Sequence, residues 1–363
     1  MDSSSTTSTQ TTGLHRHPEL YFDDGDIVLQ AHSSSVGIPQ HHQLFCVHQA
    51  MLSTHSPVFS NLFADASASP ESMYDGRCLI IMSDEAEDLS HLLLYLYNPG
   101  RYLLRSSHPD TAVELRGAVK LAGKYLLDTV RSNMIQRVVQ DWPTTLVDWD
   151  ISEGARQSIE RMVYDAHRPT SCSAELADRT PEPVSAIVFA QEHGCAEILP
   201  AAFYSLASID VGSQWHEDPV FRVHRLRFPC ARWALCDKDN LVRYIMGRQS
   251  LDAFYHRVAR DLDRGVMLCA DCRPPAAALD LDVQDWPCLR ALRTVRNCVW
   301  GTRPTYDPLA TLRELDEYDK LGIAFMPRGP EALCCECREK LGRWVYEERA
   351  WLWERLPQIF CLE

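Results

Sequence analysis

The chain reads as an α+β unit followed by a longer, mainly α-helical region, and three observations predict that division. Short runs at residues 26–31, 42–47 and 77–82 have the apolar patterning and turn-rich borders of strands. From His48 onward the apolar spacing becomes helical. Strands gathered ahead of helices, rather than alternating with them, point to α+β. A length of 363 residues suits about two domains. With 45% apolar and 24% charged residues the chain can bury a core.

The elements follow in order. Residues 1–18 open with a Ser/Thr-rich tract, lack periodicity, and are expected as a disordered leader. Order should begin near Leu20-Tyr21-Phe22, ahead of the turn Asp23-Asp24-Gly25 and a strand over 26–31. A loop over 33–39 leads to a second strand, about 42–47, making a long-looped hairpin. Leu52, Phe59 and Phe63 then lie at helical spacing. Ser56-Pro57 supplies an N-cap and a proline at the first helical position, giving two short helices about a corner. A flexible stretch is expected over 64–76 and a third strand over 77–82. Ser83-Asp84 is read as the cap of a helix carrying Leu89, Leu92, Leu93, Leu96 and Tyr97, ended by Asn98-Pro99-Gly100. Further helices are expected at about 111–123 and 126–139. Beyond Trp142-Pro143 the helical candidates are 147–165, 183–209, 241–268 and 331–356, with a linker at 168–183 and an irregular region at 273–330. No internal repeat is visible.

The run Phe45-Cys46-Val47-His48-Gln49-Ala50-Met51-Leu52-Ser53-Thr54-His55-Ser56-Pro57-Val58-Phe59-Ser60-Asn61-Leu62-Phe63 resembles the strand-to-helix pattern of the BTB/POZ fold. Gly25-Asp26-Ile27-Val28-Leu29 is similar to that family's first strand. Leu92, Leu96-Tyr97 and Leu121-Ala122-Gly123-Lys124-Tyr125-Leu126-Leu127 stand where its later helices fall. Several motifs in the right order over roughly 120 residues form a specific signal. Together with Asp75-Gly76, residues 100–104 and residues 142–150, they resemble the fungal, basidiomycete-type set of BTB proteins. The expected domains are therefore a leader at 1–18, a BTB/POZ domain at 19–140, and a mainly helical C-terminal domain at 141–363 with two C-x-x-C pairs. The resemblance implies a non-catalytic protein–protein interaction module that homodimerises, oligomerises or docks onto a partner. The N-terminal strand and first helix would contribute to a two-fold interface. Two alternatives are a substrate adaptor of a cullin-based ubiquitin ligase and a transcriptional regulator acting through partners.

Charge narrows the partners. Lys+Arg is 36 against Asp+Glu 50, a formal net charge of −14, and no Lys or Arg occurs between Arg16 and Arg77. Direct nucleic-acid binding needs the opposite balance. The longest apolar stretch, residues 186–209, is interrupted by Gln191, Glu192, His193 and Glu197, so no membrane span is expected. The N-terminal tract has neither the basic flank nor the apolar core of an export signal, and an intracellular protein, cytoplasmic or nuclear, is expected. Its 14 cysteines are then reduced thiols or metal ligands rather than a disulfide framework.

Cys269-Ala270-Asp271-Cys272 and Cys334-Cys335-Glu336-Cys337 are two C-x-x-C pairs. Cys269, Cys272, Cys334 and Cys337 are candidate ligands of one structural zinc, since two such pairs can complete a four-sulfur tetrahedron. The long separation of the pairs weakens the pattern. Packing as small apolar residues and redox chemistry remain open beside it. Cys288, Cys298 and Cys335 are spare thiols that could replace a ligand. No histidine follows His256, against a mixed Cys/His ring-type ligase.

Enzyme motifs fail one by one. Five residues rather than four separate Gly117 from Gly123, and Tyr125 stands where a phosphate loop needs Ser or Thr. Neither H-E-x-x-H nor G-x-S-x-G occurs. His193 and Cys195 lie two apart in an expected helix, on different faces. His48, at a strand-to-helix junction, is read as a hydrogen-bonded fold residue. Asp84, Glu85, Glu87 and Asp88 are read as helix N-terminal charge. Trp344, Val345, Trp351, Leu352 and Trp353 are read as core packing, and Leu356-Pro357-Gln358-Ile359-Phe360 as part of the domain.

Overall fold

Asp23-Asp24-Gly25 turns the chain into the sheet of the first unit. The computed structural model describes residues 13–33, 41–68, 72–165, 180–215, 230–274, 286–300, 305–321 and 333–363, without the side chains of 66–68, 159–165 and 318–321. The backbone divides into two compact units, Met1–Asp141 and Trp142–Glu363.

In the first unit, a Cβ at Gly25 would sit 2.7 Å from Cys46 Sγ and 3.0 Å from its carbonyl carbon, so glycine lets the turn press on the neighbouring strand. The strands are β1 (Gly13–Tyr21), β2 (Ile27–Ser33), β3 (His41–Val47), β4 (Met73–Tyr74) and β5 (Arg77–Glu85), in spatial order β1-β3-β2-β5-β4. β2 and β3 form the expected antiparallel hairpin, with Ile27 opposite Val47 and Leu29 opposite Phe45. β1 runs parallel to β3, and β2 parallel to β5. Leu44 and Cys46 are as buried as Phe45 and Val47. Val28, Leu44 and Cys46 form a small core on one face beneath Tyr21, Tyr74 and Leu79, so both faces of the central strands are covered.

β1 starts at Gly13, inside the stretch expected as leader; residues 1–12 lie outside the described residues. Leu20 is its one fully buried residue, so the strand shows no apolar period. The His17 ring stacks on Phe45 at 5.3 Å, its Nδ1 accepts the Leu20 N–H at 3.0 Å, and Leu20 is buried.

The helices of this unit are α1 (Gln49–His55), α2 (Pro57–Ala68), α3 (Ala86–Tyr97), α4 (Gly100–Leu103), α5 (Thr111–Lys124) and α6 (Asp128–Val139). Ser56 caps α2, its Oγ accepting the Phe59 N–H at 3.0 Å while donating to the Tyr125 carbonyl at 2.6 Å. Phe59 stacks on Tyr125 at 4.3 Å. α3 packs on β2 and α5 through the buried Leu89, Leu92 and Leu93. Ser83-Asp84 does not cap α3: β5 stays paired with β2 as far as Glu85, opposite His32. Asp84 instead accepts the Tyr125 hydroxyl and pairs with Lys124, leaving Glu87 and Asp88 in the first turn of α3.

The second unit holds α7 (Leu146–Asp165), α8 (Pro183–His193), α9 (Leu199–Ala207), α10 (Lys238–Arg264), α11 (Pro287–Val299), α12 (Pro308–Leu321), α13 (Cys335–Glu354) and α14 (Leu356–Ile359). The single helix expected over 183–209 is broken at Gly194, where φ is +79°. A short 3-10 turn, Ala196–Ile198, then leads into α9. The region expected to be irregular contains α11 and α12. α11 buries Cys288, Leu289, Ala291, Leu292, Val295 and Val299 on one face. The C-terminal tail is core in part: Val345, Leu352, Leu356 and Phe360 are buried and Trp344 and Trp353 half-buried, but Trp351 is exposed, its ring stacked on Phe254 at 5.6 Å. Among the described residues, no helix is long and apolar enough to cross a membrane.

Candidate functional site

Two chain turns in the second unit bring the four predicted thiols together. α10 stops at Gly265, where φ is +64°, and the Val266 N–H closes back onto the Asp261 carbonyl at 3.1 Å. Past the buried Leu268, the Cys269 carbonyl accepts N–H groups from Cys272 at 3.1 Å and Arg273 at 3.0 Å, forming a tight knuckle. The other pair begins α13. Cys334 is its N-cap, with extended backbone and an Sγ that accepts the Cys337 N–H at 3.4 Å.

The four Sγ atoms all lie within 4.8 Å of one another. Cys269 and Cys337 are 3.4 Å apart at sulfur, Cys272 and Cys334 3.9 Å. Both are far beyond the roughly 2.05 Å of a disulfide, and every described cysteine is a free thiol. The Cys269 N–H adds a contact to Cys337 Sγ at 3.3 Å. Cys269 and Cys337 are buried, whereas Cys272 and Cys334 are half-buried. Of the three spare thiols, Cys298 and Cys335 are exposed; Cys288 is buried at the start of α11, and its Sγ accepts the Cys334 N–H at 3.4 Å.

The environment separates the thiols electrostatically. Burial, above all, pushes the Cys337 thiol up. Hydrogen bonding with Cys269, ahead of burial, pushes Cys272 up to about 12. The Cys337 N–H draws Cys334 down to about 7. Cys334 also sits at the positive end of α13. Lys340 binds Glu336 at 2.9 Å and lies within the field of Cys269 and Cys337. The donor set can hold a metal ion.

The histidine readings have simple geometry. His48 donates its backbone N–H to the Tyr97 hydroxyl at 2.9 Å, and its Nδ1 lies 3.0 Å from the same oxygen. Its Nε2 faces Asp24 at 3.3 Å. The His193 ring packs edge-on to Phe189, while Cys195 is buried beyond the helix end.

Residues 26–137 match the family model of the BTB/POZ domain. The first unit thus contains a BTB/POZ domain, with the strand-to-helix run from Phe45 to Phe63 inside it. No curated protein and no solved structure gives a match to the chain.

Proposed function

We propose that this protein is a non-catalytic interaction protein of the fungal BTB type, which self-associates or docks onto a protein partner through its first unit. The observation that carries this reading is the BTB/POZ match over residues 26–137. BTB domains serve as protein-binding modules without chemistry of their own. The sheet supports self-association through its N-terminal strand. Among the described residues β1 pairs only with β3, leaving its outer edge open to a second chain, and it carries Pro18, a residue suited to edge strands. Leu14 on that strand is substantially exposed. The helical region after the domain is the arrangement the fungal resemblance implies.

The test is light scattering coupled to gel filtration of the full chain at micromolar concentrations. A mass twice that of the chain is expected, falling in Leu14→Lys; a wild-type monomer at all concentrations refutes self-association. Capture of a cullin by the full chain would favour the ligase-adaptor reading instead. The net charge of −14 keeps any regulatory role at DNA indirect.

A further inference from the structure

The interaction reading gives the thiol cluster of the second unit no part. We infer that Cys269, Cys272, Cys334 and Cys337 bind one Zn²⁺ as a closed structural site joining the end of α10 to the start of α13, with Cys288 orienting Cys334 from outside the ligand set. Four thiolates at the Zn–S distance of about 2.3 Å stand about 3.8 Å apart in a regular tetrahedron. The two S–S separations of 3.4 and 3.9 Å bracket that value. All four sulfurs within 4.8 Å suit a single ion. A bridged iron–sulfur cluster distributes its ligands over separate irons. A tetrahedral all-sulfur set is the donor chemistry of zinc.

The alternatives explain less. Cysteines recruited as small apolar fillers would all be buried, yet Cys272 and Cys334 are half-exposed and still converge with the buried pair. A redox dithiol needs one C-x-x-C, and here two distant pairs meet. Backbone N–H groups of Cys269 and Cys337 already aim at Cys337 and Cys334 sulfur, the charge-assisted support a thiolate ligand uses. Four protein sulfurs leave no open coordination position, so the role is structural. Cys288 accepts the Cys334 N–H at 3.4 Å and so fixes the cap that presents the Cys334 sulfur. That makes it a positioning residue.

The test uses the purified full chain produced with zinc in the medium. Elemental analysis should find one zinc per chain. Cobalt substitution should give tetrahedral d–d bands and the sulfur-to-cobalt charge transfer of four thiolates. Cys272→Ser and Cys334→Ser should lose the stoichiometric ion, while Cys298→Ser and Cys335→Ser keep it. Cys288→Ala should keep one ion and the four-thiolate cobalt spectrum, yet surrender zinc to a chelator about tenfold more readily. A wild-type chain that binds neither zinc nor cobalt overturns the site. So does full retention in the Cys269→Ser/Cys337→Ser double variant, or a reversible disulfide in a metal-free chain. Loss of one cobalt–thiolate ligand in Cys288→Ala overturns the assigned set. Should the serine variants fail to fold, wild-type stoichiometry and the cobalt spectrum decide. Neither depends on the oligomeric state that tests the interaction reading.

Discussion

Replacing Ser56 by alanine tests how the strand-to-helix run holds the BTB unit together. The side chain is almost fully buried, at 1% exposure, and one hydroxyl does two jobs. It accepts the Phe59 N–H as the cap of α2 and donates to the Tyr125 carbonyl just past α5. Loss of an N-cap costs about 1 kcal/mol. Leaving a buried carbonyl without its donor costs at least about another 1 kcal/mol. The expected destabilisation is therefore about 2 kcal/mol, or roughly 30-fold faster exchange of protected amides. Hydrogen exchange read by mass spectrometry on peptides from α2 and α5 measures it in the full chain. All nine tryptophans lie at position 142 or later, so fluorescence reports the second unit separately. Ser56→Thr keeps the hydroxyl and should recover most of the protection. A Ser56→Ala chain whose α2 and α5 amides exchange within twofold of wild type would refute both the cap and the tie.

Gly247→Ala should destabilise the second unit by about 1–3 kcal/mol through overpacking, because the new Cβ would lie 2.0 Å from the buried Phe360 ring. Tryptophan-detected urea unfolding measures it, and adding Phe360→Leu should recover part of the loss. Glu182→Ala should cost roughly 3 kcal/mol in the same assay, since its buried carboxylate accepts N–H groups from Val184, Ser185 and Arg232 at 3.0, 2.8 and 3.0 Å. Burial lowers His17 and His91 below the ordinary 6.5, so the unfolded chain binds protons first. Stability of the first unit should therefore fall as pH drops below about 6.5 and level off below the folded values; exchange protection that rises from pH 7.5 to 5.5, once corrected for intrinsic rates, would contradict this. For His91 the opposing charges are Glu87, Asp88 and Glu114, with Arg101 on its own side.

The first unit was legible where local rules and packing agreed. The β2–β3 hairpin, the Ser56-Pro57 corner and the Leu-rich face of α3 each follow from spacing that a neighbouring element then uses. The differences have two causes: long-range pairing overrides local chemistry, and an edge strand buries too little to show a period. Ser83-Asp84 has the residues of a cap, but parallel pairing with β2 carries β5 through to Glu85. Asp84 spends its carboxylate on Tyr125 and Lys124, some forty residues away. β1 shows no apolar period because an edge strand buries little. Its anchors are Leu20 and the stacked ring of His17, and a histidine on aromatic carbon carries no hydropathy signal.

The thiol cluster is visible in the sequence as residues but not as a place. Each C-x-x-C pair has a local logic readable from sequence: one follows the glycine stop of a long helix, the other begins a helix with a side chain that caps it. Their meeting depends on the stretch between them. Taken as one irregular loop of 61 residues, it would have to be closed at an entropic cost with nothing to guide its ends. The stretch instead contains α11 and α12. α11 packs on α10, α12 packs on α11 and on α13, and each step carries the chain back toward its starting point. The arginines of α11 hid its pattern, since Arg290, Arg293 and Arg296 interleave with the apolar face of Leu289, Leu292, Val295 and Val299. Counted at 3.6 residues per turn, the apolar residues gather on one side, with Arg290 and Arg293 off it and Arg296 at its border. The spacing that argues against a zinc site in a flexible chain therefore does not argue against one here. The helices between the pairs bring the four sulfurs together, and a metal ion would only have to hold what packing has already assembled.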